Sequence, residues 1–139
     1  MLIEGAELDA PAGPLDDLLK VGLDAAPDEV ASVSAARALS WRELERASAA
    51  LTGGYRELRL EPGDGLASLM PNRIDLVIHY LACFRGELVA TRLNYRYAAR
   101  EIDHALKVSG ASALLAHVER AEDLAASELA SGLELGTIA

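Results

Sequence analysis

The residues able to carry chemistry are few. His79, His104 and His117 stand too far apart in sequence to match a metal-ligand spacing, and the single cysteine, Cys83, has no cysteine partner. His79 is placed on a helix flank, and His104 on a helix among charged neighbours. A cysteine nucleophile needs a nearby base and an electropositive setting. Cys83 falls instead in an apolar helical stripe and reads as a core thiol. Gly63 and Gly65 flank Asp64 ahead of a strand, not between a strand and a helix, so they read as a turn and not as a phosphate cradle. Neither Gly-x-Ser-x-Gly nor Gly-Lys-Ser/Thr occurs.

Two places remain. Asn94-Tyr95-Arg96-Tyr97 concentrates two aromatic rings and a guanidinium in one segment after a strand. Open α/β sheets bind ligands at the carboxyl ends of their strands. There Arg can pair with phosphate and Tyr can stack on a base. The other reading has the tyrosines packing the loop onto the core while Arg96 is solvated. Arg120 follows a later strand at the same edge, either as a phosphate contact or as a solvated side chain.

The chain that must position these residues has 139 of them, enough for one hydrophobic core. Apolar residues make up 51% and charged residues 25%, ordinary values for a globular protein. The net charge is −9 and the pI about 4.7, with no cluster of Lys and Arg to offset it. That balance argues against nucleic acid and anionic lipid as partners. One cysteine allows no internal disulfide and fits a reducing compartment. Met1 to Gly13 lacks the apolar core of a signal peptide. The longest apolar run, Leu76 to Phe84, is interrupted by His79 and is far too short to span a bilayer. A soluble, cytoplasmic protein is expected.

Residues 1–13 show no periodicity and read as a flexible arm. Pro14 suits a first helical position, with Leu15, Leu18, Leu19 and Leu23 following at helical spacing until Pro27-Asp28. Val30–Ser34 and Ala38–Ser40 form a candidate hairpin, although the turn lacks Gly or Asn. Ser40-Trp41-Arg42-Glu43 is a capping box, with Leu39 and Leu44 at the staple positions. Leu44, Ala47, Leu51, Tyr55 and Leu58 then recur on one helical face to about residue 59. Gly53 and Gly54 interrupt this helix, which implies close packing against a neighbour. Glu61-Pro62-Gly63-Asp64 is a turn, and Leu66–Met70 is a strand buried on both faces. Asn72 is expected to cap a helix with Leu76, Tyr80, Cys83 and Phe84 inward, stopped at Gly86. Leu88–Leu93 is a strand and 94–97 a loop. A helix from about Ala98 turns Ile102, Ala105 and Leu106 inward and ends at Gly110. Ser112–Ala116 is a strand, and 120–128 a weakly amphipathic helix. This alternation predicts an α/β fold, a parallel sheet with helices on both faces.

Several of these segments together resemble one family. Leu39-Ser40-Trp41-Arg42-Glu43-Leu44 is similar to the early L-T/S-Y/W-x-E-L segment of AMP-forming acyl-CoA synthetases, the adenylate-forming ligases. Glu61-Pro62-Gly63-Asp64 and Met70-Pro71-Asn72 are similar to that family's PGD turn and PN helix start. Leu81 to Tyr97, LACFRGELVATRLNYRY, is similar to its LA-x-x-x-x-G-x-V-x-x-PLN-x-RY segment. Glu101-Ile102 to Gly110 and Ala113-Leu114-Leu115 continue the series, so the resemblance runs from about Leu15 to His117. It implies a two-step ligase using ATP, Mg2+ and CoA. A carboxylic acid, such as a fatty acid, attacks the α-phosphate of ATP to give an acyl-adenylate and pyrophosphate. The thiol of CoA then takes the acyl group and releases AMP.

The resemblance also implies limits. The family's Ser/Thr/Gly-rich loop ending in Lys, its adenine motif, its ribose-binding Asp and its catalytic Lys are not in these residues. Residues 14–139 are thus expected to form a partial N-terminal α/β subdomain. It would have no catalytic or metal-binding residue and no turnover or tight cofactor binding of its own. Its partners would be the remaining subdomains of the ligase. Arg96 and Arg120 are carried over as CoA-phosphate contacts. Four positions depart from the pattern. Arg59 stands where a helix-ending Gly is usual, Gly65 replaces a basic residue, Glu87 replaces a Gly, and Arg92 replaces the Pro of PLN. They leave open a divergent, free-standing α/β binding module without catalysis.

Overall fold

The computed structural model describes residues 13–138. The arm expected over 1–13 therefore lies, except for Gly13, outside the described residues. Leu15–Asp17 forms a 3-10 turn, and the first α-helix, α1, is confined to Lys20–Ala25. Pro14 precedes the turn as its N-cap instead of starting a helix. Leu15 and Leu18 are exposed, whereas Leu19 is buried in the core and Leu23 packs against the same cluster. The single helix expected here is thus two short pieces, and neither has a side-chain cap.

Strands β1 (Val30–Val33) and β2 (Ala38–Ser40) pair antiparallel. Their turn needs no Gly because Ser34 organises it. Its amide donates to the Arg37 carbonyl at 2.8 Å, and its Oγ accepts from the Arg37 amide at 3.2 Å. Helix α2 (Trp41–Glu57) starts at the expected capping box. The Glu43 amide donates to Ser40 Oγ at 3.2 Å, and the Ser40 amide donates to Glu43 Oε2 at 2.8 Å. Leu39 and Leu44 share one cluster with Leu19, Ile74 and Ile78.

The buried face of α2 is more polar than its apolar spacing suggests. It runs through Leu44, Ser48, Thr52 and Tyr55, whereas Leu58 is exposed. Ser48 Oγ donates to the Glu45 carbonyl and Thr52 Oγ1 to the Ser48 carbonyl. Both hydroxyls are satisfied within the helix, so burying them costs little. The close packing expected at Gly53 and Gly54 is not there, since no atom lies within 4 Å of a Cβ built on either. The close approach falls at Gly22 instead, where a Cβ would stand 2.1 Å from the Trp41 ring.

The remaining strands, β3 (Gly65–Leu69), β4 (Val89–Arg92), β5 (Ala113–Ala116) and β6 (Gly136–Ile138), form one parallel sheet in the order β4-β3-β5-β6. Helices α3 (Ile74–Arg85), α4 (Ala99–Ser109) and α5 (Ala121–Ala125) connect them. Alternation along β3 divides the core. Leu66 packs with Tyr55, Ala82 and Cys83 of α2 and α3. Ala67 and Leu69 pack with Ile102 and Leu106 of α4. The sheet therefore carries helices on both faces, as the alternating pattern requires. Strand β6 carries no period in the sequence and was not expected. The helix expected over 120–128 shrinks to α5. Asp103 ends it, accepting from Ser127 Oγ at 2.5 Å and from the Leu129 amide at 3.0 Å.

Two of the four departures sit at helix ends. Leu60 donates to the Tyr55 carbonyl at 3.0 Å and Arg59 to Arg56 at 2.9 Å. Leu88 donates to Cys83 at 2.9 Å and Glu87 to Phe84 at 3.2 Å. These are Schellman closures of α2 and α3, each needing a left-handed residue after the cap. Arg59 takes it with φ 67° and Glu87 with φ 56°. The hydrophobic contact of the motif is kept, since Tyr55, Leu60, Cys83 and Leu88 share one cluster. Gly65 has a separate reason. A Cβ there would stand 3.0 Å from Ala111 Cα, so a basic side chain would strain the start of the sheet.

His79 is not on a helix flank but fully buried. The turn of α3 that carries it faces α2, and Tyr55 Oη lies 2.8 Å from its Nδ1. Cys83 Sγ lies 3.7 Å from the same nitrogen. Burial lowers the imidazole from its ordinary 6.5 to about 4 and pushes the thiol up to about 12. It raises the Tyr55 hydroxyl too, with the nearby thiol adding to the effect. Three groups that could do chemistry are thus held neutral and inert.

Substituting Gly53 or Gly54 by Ala should stabilise the fold by about 1 kcal/mol in urea unfolding. Arg59→Gly should stabilise it by a comparable amount, about 1 kcal/mol, by removing the left-handed penalty. Acid should expose His79. The unfolded imidazole takes up its proton as pH falls through 6.5 and the native one only near 4, so stability is lost as pH falls across that window. The loss is at most about 3 kcal/mol. The double variant His79→Leu/Tyr55→Phe should remove that slope relative to the parent chain. Cys83 should resist alkylation at neutral pH until the chain is unfolded.

Candidate ligand edge

Strand β3 exits to α3 on one face of the sheet, while its neighbours β4 and β5 exit toward the face covered by α4 and α5. Where adjacent exits diverge, the carboxyl edge opens into a crevice. Three segments meet there: 70–73 after β3, 93–97 after β4 and 117–120 after β5.

The structure brings the sequence-selected residues Asn94–Tyr97 and Arg120 to this edge. The loop closes on itself, with the Arg96 amide donating to Asn94 Oδ1 and the Tyr97 amide to the Asn94 carbonyl, both at 3.0 Å. The Arg96 guanidinium is exposed and has no ion pair among the described residues. Arg120 is more confined, with its side chain 17% exposed. It donates to the Tyr97 carbonyl, pairs with Asp123 Oδ2 at 3.0 Å and stands over the Tyr95 ring at 5.3 Å. Its Nε is buried without a hydrogen-bond partner among the described residues. The packing reading of the loop fits these positions, with the Tyr97 ring against the core cluster of α4. Tyr95 and Tyr97 are half-buried, and Arg96 is solvated.

Two further residues at this edge, Glu119 and Arg73, were not singled out in the sequence. Glu119 Oε2 accepts from Tyr95 Oη at 2.7 Å, and Arg73 stands 3.8 Å from its other oxygen. The Tyr95 hydrogen bond holds the Glu119 carboxyl below the usual carboxylate range, and Glu119 raises the Tyr95 hydroxyl in return. His117 Nδ1 accepts from the Glu119 amide at 3.3 Å and caps the 3-10 turn Val118–Arg120. Arg92, the departure from PLN, donates to Asn72 Oδ1 at 2.5 Å. Asn72 is therefore spent on Arg92 and does not cap α3, whose N-cap position is Arg73, with no side-chain hydrogen bond. The adjacency of Glu119 and Arg120 directly after a strand was the available signal. His104 is exposed on α4, and Cys83 and His79 are in the core, away from this edge. Among the described residues no group of three or more His, Cys, Asp or Glu side chains could hold a metal ion.

Residues 20–137 match the family profile described as AMP-binding enzyme. A feruloyl-CoA synthase from an Amycolatopsis species is 42% identical over 95 residues, 68% of this chain and 19% of that protein. A 3-oxocholest-4-en-26-oate–CoA ligase of Rhodococcus rhodochrous is 31% identical over 115 residues, 83% of this chain and 20% of that protein. The fold is shared with ATP-bound MatB from Rhodopseudomonas palustris, with a TM-score of 0.78 at 22% identity over 89% of this chain and 24% of MatB. The chain thus spans about a fifth of the length of the curated relatives it matches. Motif series, sheet topology and matches agree: the chain belongs to the AMP-binding enzyme family and corresponds to the N-terminal portion of an AMP-forming acyl-CoA synthetase.

Proposed function

We propose that this chain works as the N-terminal scaffold of an ATP-dependent acyl-CoA synthetase of the cytoplasm, acting on a fatty or related carboxylic acid. The observation that carries the reading is the family match over residues 20–137, together with relatives of whose length the matched part spans only 19–20%. Electrostatic stabilisation of phosphoryl charge needs a positioned Lys and a metal. The phosphate loop that would hold ATP and Mg2+ is not in this sequence. The chain therefore supplies position and not turnover. At its carboxyl edge, Arg96 and Arg120 are the proposed contacts for phosphate of CoA. The guanidinium of Arg96, without an ion pair among the described residues, and the Nε of Arg120, without a hydrogen-bond partner among them, support that assignment. Val89 on the edge strand β4 and Val108 on α4, 55% and 73% exposed, fit a surface that the remaining subdomains cover. Among the described residues no helix is long and apolar enough to cross a membrane.

A second reading, a free-standing binding module without catalysis, is favoured by Arg59 and Glu87, which hold left-handed positions that glycine fills more easily. One experiment separates the two. The chain replaces the corresponding segment of the Amycolatopsis feruloyl-CoA synthase, and thioester formation is measured. The isolated chain should show no turnover, and the chimera should show it. In the chimera, Arg96→Ala and Arg120→Ala should each raise KM for CoA about tenfold, with KM for ATP unchanged. A folded but inactive chimera would favour the module, and turnover by the isolated chain would overturn both readings.

A further inference from the structure

Loop 94–97 is held locally by two hydrogen bonds, both to Asn94. A short turn of that kind opens readily unless it is tied to something distant. The Tyr97 ring packs against the core cluster of α4, and among the described residues its three other long-range ties all come from the segment after β5. Tyr95 Oη donates to Glu119, Arg120 donates to the Tyr97 carbonyl, and the Arg120 guanidinium stands over the Tyr95 ring. Glu119 is itself fixed from two sides. Arg73 reaches it from the β3 exit, and its own amide donates to His117 Nδ1 at the end of β5. One carboxylate thereby joins the exits of all three strands at the crevice.

We propose that Glu119 and Tyr95 form a latch that fixes the 94–97 loop and presents Arg96 at the carboxyl edge. The inference rests on the reading of that edge as a CoA-phosphate surface. It separates the roles of the two candidate arginines. Arg120 spends donors on Tyr97 and Asp123 and stands over the Tyr95 ring, so it holds the latch while only its Nε is left for phosphate. The Arg96 guanidinium, with no ion pair among the described residues, is left for an anion. Glu119 touches no substrate in this scheme and is a positioning residue. The held carboxylate and the retained phenol proton both follow from the Tyr95–Glu119 hydrogen bond, so the latch is closed at neutral pH.

The test is amide hydrogen exchange of residues 94–97 in the intact protein, read beside the KM for CoA. Glu119→Ala should speed exchange of the Arg96 and Tyr97 amides roughly three- to tenfold. KM for CoA should rise by a similar factor with kcat held. Tyr95→Phe keeps the ring under Arg120 but loses the hydroxyl, and should move both readouts in the same direction. Glu119→Gln keeps an acceptor for Tyr95 and should recover most of the protection, which guards against a mere loss of folding. Unchanged exchange in both Glu119→Ala and Tyr95→Phe would overturn the latch. Faster exchange with KM for CoA unmoved by Glu119→Ala and by Arg96→Ala would support the latch and overturn the CoA reading beneath it.

Discussion

The burial of β3 on both faces is the constraint on which the rest of this structure depends. A strand with apolar residues on alternate sides must be covered twice. Leu66 recruits α2 and α3, and Ala67 with Leu69 recruits α4. Once β3 leaves toward α3 while β4 and β5 leave the other way, a crevice at their carboxyl ends follows from topology alone. The polar residues at that edge therefore meet because of where apolar residues elsewhere are buried. Small residues complete the arrangement. Gly65 lets the start of β3 approach Ala111 at a distance that a Cβ would make strained.

The same core explains how the chain tolerates its departures from the family pattern. The Schellman closures after α2 and α3 bring Leu60 against Tyr55 and Leu88 against Cys83 in one cluster. That contact and two backbone hydrogen bonds hold each closure, so Arg59 and Glu87 occupy left-handed conformations that cost an L residue roughly 1–2 kcal/mol. Arg92 is compensated differently. It takes Asn72 from its expected capping role and ties β4 to the segment after β3. The substitutions are thus accommodated locally and leave the sheet order intact.

What was legible in the sequence is what local chemistry determines. Ser40 and Glu43 announce the start of α2, Gly110 ends α4 with φ 63°, and the 94–97 loop and Arg120 fall at one edge of a parallel sheet. The burial of His79 was hidden because its partner, Tyr55, lies on another helix. The polar inner face of α2 was hidden because Ser48 and Thr52 satisfy themselves within the helix. Strand β6 has three residues and no period to read. The Tyr95–Glu119 contact joins residues 24 apart, and no spacing rule connects a tyrosine in one loop to a carboxylate after a later strand. Gly53 and Gly54 gave a signal that misled, since among the described residues no neighbour comes within 4 Å of a Cβ built on either.

The measurement closest to the central claim is the mass of the native protein that carries this segment, detected in its source cell with an antibody against it. If the segment is the N-terminal portion of a synthetase, the band runs several-fold heavier than 14.7 kDa, as for relatives of whose length the matched part spans 19–20%. A band at 14.7 kDa alone, with no heavier species, would contradict the account and make the chain a free-standing module.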